Sequence, residues 1–338
     1  MIENFYFSQL EFTLKPLESI KIHRYSQGNI LRGAFGSSFR EIVCIAEKNT
    51  LCKDCFFKEK CSFYQVFSPD RVTSVKRIQN APRGYIIKPS LENVTEYFPD
   101  KPLSFSMVLI GDRIEYLPYV IVPLIEMGKV GIGFNRGKFI LSDIKVMINN
   151  QLESIYNSES KIVKNIMPTN NGLELMERSS RMSDNYGISL QFLTPTRIKY
   201  NPTGDKDNSQ VVRVPEFHHL IKRLRDRINA LSLAYCKTPL NIDFKGFGEE
   251  AEKVKIKEAN IRWVEKMRKT KIKNAIHVQS GFIGNITYEG DIKQFLPLLL
   301  LGEHVHVGED AAFGSGWYFI TEKISRKNKI FTQEVGQK

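Results

Sequence analysis

No apolar run in this chain approaches the ~20 residues that a membrane-crossing helix takes. The run PLLLLG at 297–302 is short and reads as core. The N-terminus, MIENFYFSQLEF, has neither the basic start nor the apolar stretch of a secretory signal. Together these absences predict a cytoplasmic protein with no membrane partner, in a compartment where disulfides are disfavoured. Cysteine is sparse, five in 338 residues, and four of the five fall between Cys44 and Cys61. Acidic residues are in deficit: 37 Asp and Glu against 49 Lys and Arg leave a net charge of +12 and a pI near 9.3. That imbalance favours an anionic partner, of which nucleic acid is the commonest. A surface that is merely basic and solvated satisfies charge alone equally well. With 42% hydrophobic residues, the chain can fill one large domain or two of about 150 residues each.

Periodicity favours two domains. FYFSQLEFTLKP alternates as a strand. In QGNILRGAFGSSFREIVCIA, Leu31, Phe35, Phe39 and Val43 repeat every four residues and predict a helix, with Arg32 and Arg40 off the apolar stripe. LSFSMVLIG reads as a strand. LPYVIVPLIEMG reads as a helix despite Pro123, and a glycine-rich turn then feeds the strand around Phe139. Residues 151–185 are polar and irregular and read as a linker. The programme then restarts: GISLQFLTPTRIKY as a strand, VPEFHHLIKRLRDRINALSLAYC as a long amphipathic helix, strand-like segments over 261–290, DIKQFLPLLLLGEHV as an apolar helix, a glycine-rich turn and the strand GWYFI. IEMGKVGIGFNRGKF and LLGEHVHVGEDAAFGSGWY hold equivalent places, a weak internal repeat. The predicted class is α+β, with two tandem ferredoxin-like, RNA-recognition-motif-like β-α-β-β-α-β domains over 1–150 and 186–325 and a tail at 326–338.

Cys44, Cys52, Cys55 and Cys61 are spaced C-x7-C-x2-C-x5-C, inside an insertion expected at about 44–90. Four thiolates satisfy tetrahedral zinc and leave no open position, so the expected metal is structural. An iron–sulfur cluster uses the same ligands and is the less favoured reading; a chance cluster of reduced cysteines is the bland one. Cys236, on an apolar helix face, reads as core. His304 and His306 share a face if EHVHV is extended, but no third ligand stands nearby. The loop that follows is no dinucleotide fingerprint, because no helix with a ribose-binding acid succeeds it.

LRGAFGSSFREIVC, GFNRGKFIL, LQFLTPTRIK, GFIGNITYEGDIKQFLPLLLLGEHVHVG and AAFGSGWY together resemble the CRISPR precursor-RNA processing endoribonucleases of the RAMP superfamily. The similarity is densest from Ile188 to Tyr318. The resemblance implies RNA bound along and between two ferredoxin-like domains, and cleavage inside each CRISPR repeat to release guide RNAs. It also implies a cut that needs no metal and uses the RNA's 2′-hydroxyl, leaving a 2′,3′-cyclic phosphate and a 5′-hydroxyl. The family's C-terminal glycine-rich loop corresponds to His306 through Gly316, where Gly308, Gly314 and Gly316 let backbone N–H groups approach phosphate. A turn that touches nothing is the competing reading of those glycines.

Such a cut needs a base for the 2′-hydroxyl, an acid for the leaving 5′-oxygen and a donor or cation for the phosphorane. The family draws catalytic histidine or tyrosine from the region of His23. His23 and Tyr25 are therefore the candidate proton-transfer pair, with Arg40 or Arg32 at the phosphate. Further RNA contacts are expected from His306 and from Lys76 and Arg77, beside Arg71, Arg83 and Tyr85, where basic and aromatic residues interleave. His218 and His219 open a basic helix, and RWVEKMRKTKIK contributes Arg262, Lys266, Arg268, Lys269, Lys271 and Lys273 to a positive surface. The expected partner is CRISPR repeat RNA, with other CRISPR effector subunits alongside. The alternatives are a non-catalytic RAMP subunit holding guide RNA in an effector complex and a processing nuclease that has lost its activity.

Overall fold

The computed structural model describes residues 1–47, 50–67, 82–148, 151–164, 169–182, 185–201, 209–270 and 275–325. The architecture is mixed α+β, built on two antiparallel sheets. The first half runs β1 (Tyr6–Pro16), α1 (Gln27–Val43), β2 (Tyr85–Lys88), β3 (Leu103–Ile110), α2 (Pro118–Val130) and β4 (Phe139–Ile148), and β5 (Gln151–Asn157) widens the sheet. In space the strands lie β2-β3-β1-β4-β5. The second half runs α3 (Gly172–Ser180), β6 (Asn185–Thr196), α4 (Phe217–Leu231), α5 (Phe244–Lys253), β7 (Lys255–Val264), the hairpin strands β8 (Met267–Thr270) and β9 (Ala275–Val278), β10 (Gly281–Glu289), α6 (Leu296–Val305) and β11 (Tyr318–Ser325). Its sheet is ordered β7-β10-β6-β11. In both halves the first strand sits between the third and the fourth, and the second strand is outermost.

Side-chain alternation explains how the halves join. Along β1, Leu10, Phe12 and Leu14 point to one face and pack in a core with Leu31, Phe35 and Phe39 of α1. Phe7, of opposite parity, belongs to the other core, with Leu220, Leu224 and Ile228 of α4 and Leu298 to Leu301 of α6. The same split divides β3: Phe105, Met107 and Leu109 go one way, Val108 and Ile110 the other. The first sheet is thus covered on both faces, by its own helices and by the second half. On β6, Ile188, Leu190 and Phe192 are buried in the core shared with α4 and α6, and the intervening Gln191 and Leu193 border a cleft.

The stretch read as a linker, 151–185, contains β5, paired antiparallel to β4, the pair Asn170–Asn171 against β1, and α3, which packs on α6. Asn171 caps α3 by accepting from the backbone N–H of Glu174 at 2.9 Å. Polar composition concealed structure here because only two of the seven residues of β5 are buried. Pro123 is accommodated inside α2. EHVHV is not extended: His304 lies in the last turn of α6, and His306 follows it at φ 60°. The alternating-face reading of the two histidines is therefore corrected. Among the described residues, no helix is long and apolar enough to cross a membrane.

Candidate active site

A cleft of about 440 Å³ opens between the halves, lined from the first half by His23, Arg24, Tyr25, Gln27 and residues 89–92, and from the second by residues 191–195, Arg262, Lys266 and Phe313 to Ser315. His23 and Tyr25, the proposed proton-transfer pair, therefore share one wall. The chain reaches them from Ile20–Lys21 and enters α1 immediately after. Tyr25 takes a left-handed backbone, φ 62°, and the Arg24 guanidinium lies 5.0 Å from its ring centre. The glycine-rich turn of the first half holds this segment from the side. Phe134 donates its backbone N–H to the Lys21 carbonyl at 3.0 Å, and Asn135 accepts from the Lys21 N–H at 3.0 Å. The Phe134 ring then lies 4.1 Å from the His23 imidazole. His23 itself is exposed, so substrate has access to it.

The glycine-rich loop of the second half forms the opposite wall, and its glycines answer to packing. Gly316 has φ 71°, and a Cβ there would stand 1.7 Å from the Val307 carbonyl oxygen; at Gly314, φ 86°, it would stand 2.5 Å from Pro89 Cδ of the first half. Gly308 seats against the Arg197 carbonyl, which also accepts the Glu309 N–H at 2.9 Å. Phe313 is gripped from both halves: the guanidinium carbons of Arg32 on α1 and Arg268 on the hairpin lie 4.9 and 5.0 Å from its ring centre. Arg32 also donates to the Tyr85 hydroxyl at 3.3 Å. The loop thus brings two guanidinium groups to one place beside the cleft.

Other expected site residues lie elsewhere. Arg40 does not join His23 and Tyr25. It stands thirteen residues beyond Gln27 on α1, roughly 20 Å along the helix axis, and donates to the Thr50 carbonyl at 3.2 Å. The His306 side chain is fully buried. Its Nδ1 meets the Ser315 carbonyl at 3.2 Å, and its ring stacks on Trp317 at 5.8 Å. Burial, helped by the Lys88 and Arg227 charges, holds the imidazole well below its ordinary pKa, and the ring packs inside the loop. His219 at the start of α4 accepts the Glu216 N–H at 3.2 Å as part of a capping box. Lys76 and Arg77, with Arg71, Lys271 and Lys273, lie outside the described residues.

The four clustered cysteines sit at the far end of α1. Among the described residues, no group of three or more His, Cys, Asp or Glu is arranged to hold a metal ion. The thiols are nonetheless neighbours: burial raises the Cys52 thiol pKa, Arg40 opposes that, and Cys44, Cys61 and Cys55 each add a smaller rise through their charge. Arg40 therefore belongs to the cysteine segment and not to the cleft.

Sequence reasoning passed over the cross-half contacts. Lys88 of β2 is buried; its ammonium donates to the Glu303 carbonyl at 3.3 Å and lies 4.5 Å from the Trp317 ring centre. Burial lowers its pKa to about 8, with Glu303 acting in opposition. Asn29 of α1 donates to the Gln279 side chain at 2.6 Å, tying α1 to the base of the β8–β9 hairpin. Lys266 and Arg262 are visible in the sequence only as members of a basic run.

Comparison with known proteins agrees with this arrangement. Residues 190–318 match the family described as CRISPR-associated endoribonuclease Cas6, and residues 5–168 match a family described as an N-terminal domain. The resemblance to the RAMP-superfamily processing endoribonucleases thus holds. An uncharacterized protein of Archaeoglobus fulgidus is 23% identical over 303 residues, covering 87% of this chain and 91% of its own length. Among solved structures, a Cas6 product complex is similar at a TM-score of 0.57 and 13% identity, over 93% of this chain and all of that one. Thermus thermophilus Cas6 is similar at 0.54 and 12%, over 94% of this chain and 99% of that one. A partial Cas6-RT-Cas1–Cas2 complex is similar at 0.58 and 13%, over 94% of this chain and 46% of that one. At these identities the likeness is one of fold.

Proposed function

We propose that this chain, whose residues 190–318 match the Cas6 endoribonucleases, binds CRISPR repeat RNA in the cleft between its halves and cuts it without metal. The two sheets are read as tandem ferredoxin-like modules, a topology that presents a sheet face to RNA in RNA-recognition folds. One observation carries the reading: His23 and Tyr25 line the same cleft as Arg262, Lys266 and the glycine-rich loop. Proton-transfer groups and phosphate-attracting cations are therefore concentrated in one place on a chain of net charge +12. In the proposed cut, His23 takes the proton of the RNA's 2′-hydroxyl, the 2′-oxygen attacks phosphorus, and the bond to the 5′-oxygen breaks as that oxygen gains a proton from a donor in the cleft. The products carry a 2′,3′-cyclic phosphate and a 5′-hydroxyl. A Cas6 solved with product and a Cas6 solved with Cas1 and Cas2 support repeat RNA and other CRISPR proteins as partners here. Pure protein incubated in EDTA with the repeat RNA of its own locus is expected to release fragments with those ends. Intact RNA, or cutting only after a divalent metal is added, overturns the reading; intact but tightly bound RNA favours a non-catalytic subunit.

A separate reading concerns the cysteines. Cys44, Cys52, Cys55 and Cys61 are proposed to hold one structural zinc, which would pin the segment after α1. The shared neighbourhood of the four thiols around Cys52 supports it. Elemental analysis of protein purified without added metal is expected to find about one zinc per chain, as four-thiolate structural sites hold. Finding neither zinc nor iron removes the proposal, and iron with a visible absorbance band replaces zinc by an iron–sulfur cluster.

A further inference from the structure

Lys266 stands at the mouth of the β8–β9 hairpin and is fixed there by its backbone. Its N–H donates to Ser280 Oγ at 2.9 Å, and its carbonyl accepts the Gln279 N–H at 2.8 Å. Gln279 is in turn bonded to Asn29 of α1, so the hairpin base is referenced directly to the helix that follows His23. The nearby acids are engaged elsewhere: Glu265 accepts from Ser280 Oγ at 2.7 Å, and Asp310 pairs with His277 at 3.1 Å. Lys266 lines the cleft together with His23, Arg24, Tyr25 and Glu92 of the first half and Arg262 of β7.

We propose that Lys266, from the second half, is the proton donor to the leaving 5′-oxygen, working opposite His23 from the first. This assignment rests on the nuclease reading above. The steps balance without a further reactant. His23 accepts the 2′-hydroxyl proton, the new bond from 2′-oxygen to phosphorus forms, the bond from phosphorus to 5′-oxygen breaks, and the Lys266 ammonium delivers its proton to that oxygen. The resulting imidazolium and amine exchange protons with water and return to their starting forms.

Three features suit Lys266 to this role. It faces the cleft in which the RNA would lie. The neighbouring carboxylate of its hairpin base, Glu265, accepts a hydrogen bond from Ser280 Oγ. Burial lowers its pKa to about 8; Asp310 opposes that shift and Arg268 reinforces it. A donor is most effective when its pKa lies near the working pH, because it is then largely protonated and still gives the proton up readily. An ordinary exposed lysine, near 10.4, holds its proton too firmly. The arrangement also explains why the cleft needs both halves: the base comes from the first and the acid from the second, and Asn29 and Phe313 make contacts that join them.

The test uses the full chain and two substrates, repeat RNA and the same RNA with sulfur replacing the bridging 5′-oxygen at the cut. A 5′-thiolate departs without a proton. Lys266→Arg keeps the charge but cannot release a proton near neutrality, so it is expected to slow the oxygen substrate by roughly 10²–10⁴-fold. The sulfur substrate should be cut at close to the wild-type rate. The fall in wild-type rate above about pH 8, expected as the Lys266 ammonium deprotonates, should disappear in the variant. Lys266→Gln gives the same pattern if the proton matters, and its thermal melting confirms that it folds. Equal slowing of both substrates, or wild-type cutting of the oxygen substrate by Lys266→Arg, overturns the donor assignment and leaves the nuclease reading standing. Wild-type protein that leaves both substrates whole overturns the nuclease reading and the donor assignment with it.

Discussion

His23→Ala slows single-turnover cutting of repeat RNA by roughly 10²–10⁴-fold, the usual worth of general acid–base catalysis, while affinity for the repeat changes little. The two effects separate because a proton-transfer group acts in the transition state and contributes little to ground-state binding. The structure strengthens the expectation in two ways. The His23 ring is exposed to the cleft, and it touches Phe134 without packing into the core, so its removal leaves no buried cavity and no loss of fold. The residue also lies between two backbone anchors, the Lys21–Asn135 pairing before it and the start of α1 after it. A substrate carrying a 2′-deoxy sugar at the cut should bind and stay whole. Tyr25→Phe on the same substrates reports whether the second member of the wall moves a proton or only orients RNA. Wild-type rates in His23→Ala, with a failed cut in Tyr25→Phe or a Lys266 variant, would retain the cleft and reassign the base.

Much of the fold was legible because its signals are local. The four-residue repeat of Leu31, Phe35 and Phe39 places α1, and those residues are buried in the first core. The glycine-rich turns were legible because positive φ at positions such as Gly308 and Gly316 demands glycine. What they are for was not legible. A glycine required by a neighbouring carbonyl and one required by a phosphate look alike in sequence; only coordinates show Val307 closing on Gly316. The site was half legible for a related reason. His23 and Tyr25 are separated in sequence only by Arg24, and both line the same cleft. Arg40 was grouped with them because the helix that carries it begins just after them, but thirteen residues of α1 carry it to the cysteines. Lys266 and Phe313 reach the site through contacts spanning more than two hundred residues of chain, and no periodicity encodes such a contact. The short polar β5 was missed because its two buried residues, Ile155 and Tyr156, are consecutive and leave no apolar alternation to read.

The joint between the halves can be tested at a single methyl group. Gly28 lies in the first turn of α1, where a Cβ would stand 2.0 Å from the Phe313 carbonyl oxygen; Gly33, five residues along the same helix, has no atom within 4 Å of that position. Helix propensity favours alanine over glycine at either site by up to about 1 kcal/mol. At Gly33 nothing opposes that gain, so Gly33→Ala should be neutral or slightly stabilising. At Gly28 the methyl meets backbone that cannot easily retreat, because the Phe313 ring is held between Arg32 and Arg268 and the next residue is backed by Ile87 and Pro89. Forcing such a contact costs about 1–3 kcal/mol, so the net effect at Gly28 is destabilising. The larger consequence falls on rate. Relief of the clash moves the glycine-rich loop and the hairpin base away from α1, and with them the second wall of the cleft. A misplacement of about 1 Å between reacting groups costs on the order of 10²-fold. Gly28→Ala should therefore lower the melting temperature modestly and the cutting rate severely, while His23, Tyr25 and Lys266 are all still present. Rates and melting temperatures indistinguishable between Gly28→Ala and Gly33→Ala would mean that the halves are not held at this contact, and that the geometry of the cleft is set elsewhere.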